Sequence, residues 1–81
     1  MNNNEKYIQA FVEMFNIKPE EAPALKYQCI QAWDSVGHMA LMAKLEESFE
    51  IMMEPDDIID FSSFEKGKAI LAEKYDIDFD A

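Results

Sequence analysis

The sequence predicts a small all-α four-helix bundle, with three main helices and one short helix in a single domain spanning residues 1–81. Apolar residues recur three or four positions apart in several segments, which is the spacing of one helix face. No segment of similar length alternates apolar and polar residues as a half-buried strand does. A chain of 81 residues can also bury only one small core. These three observations together favour helices packed around a single core.

The first helix is predicted over residues 4–15, and a long connection follows over residues 17–33. The helix face is formed by residues at helical spacing: Ile8, Phe11, Val12 and Phe15. Pro19 and Pro23 prevent the helix from continuing. The connection is longer than most loops of compact domains. Its apolar side chains are expected to hold it on the core: Leu25, Tyr27, Ile30 and Trp33.

The second helix is predicted over residues 35–50 and begins at Asp34 or Ser35. Its apolar stripe consists of Leu41, Met42, Leu45 and Phe49. Met39 and Met42 lie at helical spacing, so core filling explains them better than an adaptable methionine-rich groove does.

Two less regular segments lie in the second half of the chain. PDDIID predicts a short helix over residues 56–60, with Ile58 and Ile59 facing the core. The tail DIDFDA alternates acids with Ile77 and Phe79, and we expect it to fray.

The last helix is predicted over residues 63–75. Ser62 and Glu65 have the S-x-x-E spacing of a capping box, which marks a helix start. The buried side of this helix consists of Phe64, Ile70, Leu71 and Tyr75.

The charge of the chain is strongly negative and unevenly distributed. Seventeen acids face seven lysines and no arginine, so the formal net charge is −10. Residues 1–45 contain five acids and four lysines, whereas residues 46–81 contain twelve acids and three lysines. Because such a surface repels phosphate backbones and anionic lipid, we expect neither nucleic acid nor a membrane as a partner. The acidic half would attract basic protein surfaces, although solubility alone also explains it.

The single cysteine and the N-terminal residues indicate a compartment. Cys29 cannot form an internal disulfide, and a lone cysteine suits a reducing environment. MNNNEKYIQ lacks the basic segment and apolar segment of a signal peptide. No apolar run approaches membrane-spanning length. We therefore expect a small cytoplasmic protein. We also expect it to be a monomer.

Catalytic and metal-binding patterns are weak. Ser35 and His38 are three residues apart, but the adjoining Asp34 cannot also reach the far nitrogen of His38 in triad geometry. No G-x-S-x-G motif is present, so we expect no enzymatic activity and interpret His38 as a surface or half-buried packing residue. EPDDIIDF lacks the glycine of a calcium loop, and one cysteine with one histidine cannot form a structural zinc site. No metal site is predicted.

Asp34 and Ser35 at the start of the second helix admit two interpretations. If Asp34 is the N-cap, Ser35 is the first helical residue, with its hydroxyl near free backbone N–H groups. These donors and the helix dipole would stabilise a phosphoester attached to Ser35. Aspartate and serine are also ordinary helix starters. The pair by itself therefore indicates no more than a helix start.

The wider segment WDSVGHMALMAKLEESFEI, residues 33–51, resembles the signature of the acyl carrier and peptidyl carrier protein family. In that signature D-S-[LV] leads a helix that ends in L-E-x-x-F-x-I. The matching residues are Asp34, Ser35, Val36, Leu41, Leu45, Glu46, Phe49 and Ile51. The order of the predicted elements is also similar to that of the family, from the long connection to the serine-led second helix and the short third.

The resemblance implies that Ser35 carries a 4′-phosphopantetheine arm, which a separate phosphopantetheinyl transferase attaches from coenzyme A. It also implies that Asp34 positions the serine for this transferase. In the family the arm holds acyl groups as thioesters, and the carrier presents them to acyl-loading and acyl-using enzymes with basic docking surfaces. The docking contacts expected from the resemblance are Val36, Glu46, Glu47, Glu50, Asp56 and Asp57.

The chain departs from the fatty-acid-synthesis branch of this family. That branch usually has acids early in the second helix, where this chain has Gly37, His38 and Ala40, and Trp33 precedes D-S here. The segment is closer to discrete carriers of specialised pathways. A peptidyl or aminoacyl carrier and an unmodified acidic helical interaction module are the alternatives. Gly67 inside the last helix indicates either close packing or space for cargo.

Overall fold

The computed structural model describes residues 2–80, which form a bundle of four α-helices and one 3-10 helix. The α-helices are α1 (Asn3–Phe15), α2 (Ser35–Phe49), α3 (Pro55–Asp60) and α4 (Phe64–Lys74), and the 3-10 helix (Pro19–Ala24) lies between α1 and α2. Over residues 2–80 the β pairing is limited to an isolated bridge between Lys26 and Ser63, so the predicted all-α class is confirmed. No helix in this range is long and apolar enough to cross a membrane.

Side-chain caps explain where three of the α-helices begin. Asn2 Oδ1 accepts a hydrogen bond from Glu5 N at 2.8 Å and starts α1. Ser63, not Ser62, caps α4, because its Oγ accepts from Lys66 N at 3.0 Å. The predicted capping box is therefore wrong by one residue. The side chain three positions after the true cap is a lysine, which cannot accept the reciprocal hydrogen bond.

Among the described residues, six of the fifteen buried hydrophobic residues of the core are aromatic. Phe11 lies at its centre, with ring centroids 5.1 Å from Phe64 and 5.5 Å from Trp33. Tyr7 is also fully buried, although the predicted face of the first helix did not include it. Its hydroxyl donates to Phe64 O at 2.7 Å, so the polar end of the ring is satisfied inside the core. The buried face of α1 consists of Tyr7, Ala10, Phe11 and Phe15, whereas the predicted Ile8 and Val12 are only partly buried.

The connection between α1 and α2 is more ordered than the sequence predicts. It contains the 3-10 helix, which begins at Pro19 and is supported by a bond from Lys18 N to Glu21 Oε1 at 3.0 Å. The predicted anchors Leu25 and Trp33 are buried, and Tyr27 and Ile30 are partly buried. Two backbone hydrogen bonds also join this connection to the start of α4: Tyr27 N to Ser62 O at 2.8 Å and Phe64 N to Leu25 O at 2.9 Å.

Three predictions of burial require correction. Ile59 is 77% exposed and Met39 is 54% exposed, although both were expected to fill the core. A helix as short as α3 turns only one face inward, and Asp57 and the partly buried Ile58 occupy it. The tail does not fray over its described residues, because Phe79 packs 5.4 Å from the Tyr7 ring and remains partly buried.

Candidate functional site

Ser35 is an exposed residue at the first position of α2. Asp34 is the N-cap, with extended backbone and with Oδ1 accepting a hydrogen bond from Gly37 N at 2.8 Å. Asp34 O accepts from His38 N at 2.7 Å and begins the helical bonding pattern. The predicted capping role of Asp34 and the predicted position of Ser35 are both confirmed. The first turn directs backbone N–H groups and the positive end of the helix dipole towards the serine end, where an attached anion is stabilised.

Gly37 allows the preceding loop to lie against this first turn. A Cβ atom at Gly37 would overlap the carbonyl oxygen of Ala32. Any side chain here would therefore push the loop away from the start of α2. The departure from the resemblance at this position has a packing reason, which the sequence alone did not indicate.

An open apolar cavity of about 290 Å³ lies beside Ser35. α2 contributes Ser35, His38 and Met39 to its lining, and the α3 side contributes Ile58, Ile59 and Phe61. Tyr27 and Ser62 complete the lining, so no acidic or basic side chain other than the imidazole of His38 faces the cavity. Met39 and Ile59 are therefore exposed because they form walls of this open cavity.

His38 is hydrogen-bonded through both ring nitrogens. Nε1 of Trp33 donates to His38 Nδ1 at 2.9 Å, and His38 Nε2 lies 2.8 Å from the carbonyl oxygen of Ile58. Because Nδ1 accepts this hydrogen bond through its lone pair, Nε2 carries the ring proton and donates a hydrogen bond to Ile58 O. Both nitrogens are thus committed, and neither is available to Ser35 as a base. His38 is partly buried, which is one of the two environments predicted for it, a surface or a half-buried position. The sequence did not predict its partners, which lie 5 and 20 positions away.

The predicted docking residues do not all lie on an open surface. Val36 is 77% exposed, and Glu47, Glu50 and Asp56 are exposed as expected. Glu46 is only partly buried, but its Oε2 accepts from Met53 N at 2.9 Å and so closes the segment after α2.

Asp57 contradicts its predicted role as a docking contact. It is only 3% exposed, and its two carboxylate oxygens accept from Lys74 Nζ and from the Tyr75 hydroxyl, each at 2.6 Å. The hydrogen bond from Lys74, then that from Tyr75, holds the pKa of Asp57 below its ordinary range. The tyrosine hydroxyl also accepts from Glu54 N at 2.8 Å. Asp57 therefore joins α3 to α4, a role that a charge pattern alone does not distinguish from a surface acid.

Over residues 2–80, no three histidine, cysteine, aspartate or glutamate side chains converge as a metal site requires.

Compared with protein-family models, curated proteins and solved structures, the chain gives no match. The function is therefore argued from the residues of the site and their geometry.

Proposed function

We propose that this protein is a stand-alone acyl carrier protein in which Ser35 is the attachment point of a 4′-phosphopantetheine arm. The observation that carries the proposal is an exposed serine at the first position of α2, capped by Asp34 and adjoining an open apolar cavity. This arrangement combines with the resemblance of residues 33–51 to the carrier signature. When bound, the arm supplies a thiol that holds acyl groups as thioesters.

The residues around Ser35 fit a phosphodiester better than they fit a catalytic serine. Its hydroxyl is accessible to another enzyme, and the N-terminal turn of α2 stabilises the negative charge of a phosphodiester. Activation of the serine as a nucleophile would require a free base, but both nitrogens of His38 are hydrogen-bonded elsewhere. A serine modified by a separate transferase needs no such base on the carrier.

The lining of the cavity favours an acyl cargo over an aminoacyl cargo. Its walls are apolar apart from Ser35, Ser62, the Tyr27 hydroxyl and the imidazole of His38, whose two nitrogens are already hydrogen-bonded. The hydrocarbon part of an acyl group can contact these walls without losing hydrogen bonds, because it makes none in water. An ammonium group would find no carboxylate among them, and burying an unpaired charge is unfavourable. This supports the acyl carrier over the peptidyl or aminoacyl alternative.

The partners in this proposal are a phosphopantetheinyl transferase and the enzymes that load and use the acyl group. Val36 offers an exposed apolar contact beside Ser35, and Glu47, Glu50 and Asp56 offer exposed negative charge. Basic docking surfaces would be oriented by these acids, which raise association rates more than affinity. This suits a carrier that binds several enzymes briefly.

The substitution Ser35→Ala tests the attachment site. The purified chain is incubated with coenzyme A, magnesium and a broad-specificity phosphopantetheinyl transferase, and its intact mass is measured. We expect one added phosphopantetheine on the wild-type chain and none on Ser35→Ala, with the helical circular dichroism unchanged.

Ser62→Ala is the matched control, because Ser62 is also an exposed serine that lines the same cavity. It should be modified like the wild type. Modification of Ser35→Ala would contradict the assigned site. A wild-type chain that gains no mass with several transferases would instead favour the unmodified acidic interaction module.

A further inference from the structure

We propose that His38 is a positioning residue of the Ser35 site, which holds α3 against the N-terminal turn of α2 and so sets the surface that a modifying enzyme meets. This inference rests on the proposed function only where modification of Ser35 is the measured reaction. The position of α3 itself can be measured without any modification. The argument depends on the two hydrogen bonds of His38, on its surroundings and on how α3 is otherwise attached.

The two hydrogen bonds of His38 define one tautomer and one ring orientation. The indole of Trp33 donates to Nδ1 at 2.9 Å, and the planes of the two rings differ by 15°. Trp33 is fully buried and stacks on the Phe15 ring with centroids 5.3 Å apart. The proton on Nε2 is thereby directed at Ile58 O, 2.8 Å away. Trp33 thus orients His38, and His38 binds α3.

The enclosure of His38 restricts the ring further. The Tyr27 ring lies edge-on at 5.2 Å and the Phe61 ring edge-on at 6.0 Å, measured between centroids. His38 is partly buried as a result. A histidine with both nitrogens bonded and with aromatic rings on several sides is preorganised, so its bond to Ile58 requires little additional ordering.

Within residues 2–80, the hydrogen bond from His38 to Ile58 O is not duplicated by other hydrogen bonds between the same two helices. Among the described residues, it is the one hydrogen bond between α2 and α3. Ile58 O lies in the last turn of α3, where it also accepts a longer hydrogen bond from the N–H of the C-cap residue Phe61 at 3.4 Å. α3 packs chiefly against α4, to which Asp57 ties it through Lys74 and Tyr75. His38 is therefore the polar attachment of α3 on the side that faces Ser35.

Loss of this attachment would separate two parts of one surface. Ser35 and the exposed Val36 lie on α2, whereas the exposed Ile59 lies on α3 across the cavity. A transferase that contacts both helices meets the two apolar side chains at a separation that His38 maintains. The serine itself and its cap do not depend on His38 side-chain bonds. Loss of the hydrogen bond between His38 and Ile58 O should therefore weaken binding of the transferase and leave the chemical step unchanged.

Two isosteric substitutions separate the two hydrogen bonds. In His38→Asn the amide oxygen can take the place of Nδ1 and accept from Trp33, but the side chain is too short to reach Ile58. In His38→Gln the amide nitrogen can take the place of Nε2 and donate to Ile58, while Trp33 loses its acceptor. His38→Ala removes both bonds. Ala43→Ser, at an exposed position of α2, is the control for substitution in this helix.

The first measurement is amide hydrogen exchange of residues 58–61 in the unmodified chain. We expect exchange in this segment to be several-fold faster in His38→Asn and His38→Ala, and close to wild type in His38→Gln and Ala43→Ser. The indole N–H signal of Trp33, the single tryptophan, should shift in His38→Gln and remain in His38→Asn. If His38 served only to accept the hydrogen bond from Trp33, exchange would be faster in His38→Gln than in His38→Asn. That order, or unchanged exchange in all variants, would overturn the role of His38.

The second measurement is the kinetics of Ser35 modification with coenzyme A and the same transferase. We expect a several-fold higher KM for His38→Asn with an unchanged kcat, and recovery of KM in His38→Gln. Equal KM values for the two isosteres would also overturn the proposal. A wild-type chain that accepts no phosphopantetheine contradicts the proposed function instead, and the exchange measurement then decides the role of His38.

Discussion

At the scale of single residues, the two glycines lie where a neighbouring group leaves no room for a Cβ atom. Gly37 faces the carbonyl oxygen of Ala32, and Gly67 faces the ring of Phe61. Gly67 is buried inside α4, where glycine is a poor helix former by about 1 kcal/mol relative to alanine. The sequence left open whether this glycine served packing or cargo. The contact with Phe61 identifies close packing as its role.

Replacing Gly67 by alanine should destabilise the protein despite the better helix propensity of alanine. The added methyl group would overlap the Phe61 ring, and overpacking of this kind costs about 1–3 kcal/mol. The gain in propensity offsets about 1 kcal/mol of this, so we expect a net loss of up to about 2 kcal/mol in the free energy of unfolding. Urea denaturation followed by circular dichroism measures it. Because Phe61 lines the cavity, displacement of its ring would also change the shape of the cavity beside Ser35.

Ala69→Gly in the same helix provides the comparison for this prediction. Ala69 is exposed, so the reverse substitution there reports on propensity alone and should cost about 1 kcal/mol. If Gly67→Ala stabilised the protein by a similar amount, the close approach of Phe61 would not limit this position.

At the scale of secondary structure elements, α3 is the helix whose position depends most on side-chain bonds. It spans Pro55–Asp60 and is too short to be stable by itself. Asp57 holds it to α4, and His38 holds it to α2. α2 differs, because Leu41, Met42 and Leu45 are buried in the core along its length. The cavity beside Ser35 therefore has one wall anchored by a row of buried side chains and one anchored by the packing of Ile58 and two polar contacts.

The contact of Asp57 makes the stability of the protein depend on pH in the acidic range. Its pKa is lower in the folded chain than in the unfolded chain, where it is about 3.9. The stabilising contribution of this carboxylate is therefore complete above that value and is lost as the pH falls through the lowered folded pKa. We expect Asp57→Asn to be less stable than the wild type near neutral pH. The difference should shrink as the pH decreases below about 4.

Unfolding curves recorded at several pH values measure this difference, and Asp56→Asn is the neighbouring control. Asp56 is exposed and lies in the same turn of α3. Its substitution should have a small effect near neutral pH and should leave the acid dependence unchanged. A stability difference for Asp57→Asn that does not vary with pH would contradict the assigned contact with Lys74.

At the scale of the whole molecule, the negative charge is concentrated in one half of the chain. The net charge is −10, and twelve of the seventeen acids lie in residues 46–81. Not all of these acids are available to a partner, since Glu46 and Asp57 are engaged in internal hydrogen bonds. The exposed acids at the end of α2 and the start of α3 are Glu47, Glu50, Glu54 and Asp56.

Charge reversal at Glu47 should slow the modification of Ser35 by a transferase with a basic docking surface. The expected effect is a several-fold decrease in kcat/KM at low salt. It should diminish as the ionic strength rises, because salt screens exposed charges over a distance of about 10 Å at 0.1 M. The measurement is the rate of mass increase at a series of salt concentrations.

Glu73→Lys is the matched control for Glu47→Lys. It changes the net charge equally, but at an exposed position late in α4. If the two variants slowed modification by the same factor at low salt, the effect would be one of total charge, and Glu47 would not belong to a docking surface.

Most helix positions follow from local rules and were predictable from the sequence. The predicted ranges 4–15 and 35–50 differ by one residue from α1 and α2. The start of α2 was predictable because Asp34 bonds to an amide three positions away. The exposed position of Ser35 follows from the same cap. Its role as an attachment point remains a prediction.

The sequence by itself therefore determined the all-α class, the helix order, the capped serine and the acidic second half, because spacing and caps act within one or two turns. Only the tertiary structure decided that α1 buries Tyr7, that Asp57 is an internal contact and that Phe79 packs on the core. It also decided the cavity and the bonds of His38. These features join residues far apart in the chain. Which of several similar side chains meets a distant partner depends on how the helices pack, and no local pattern encodes that choice.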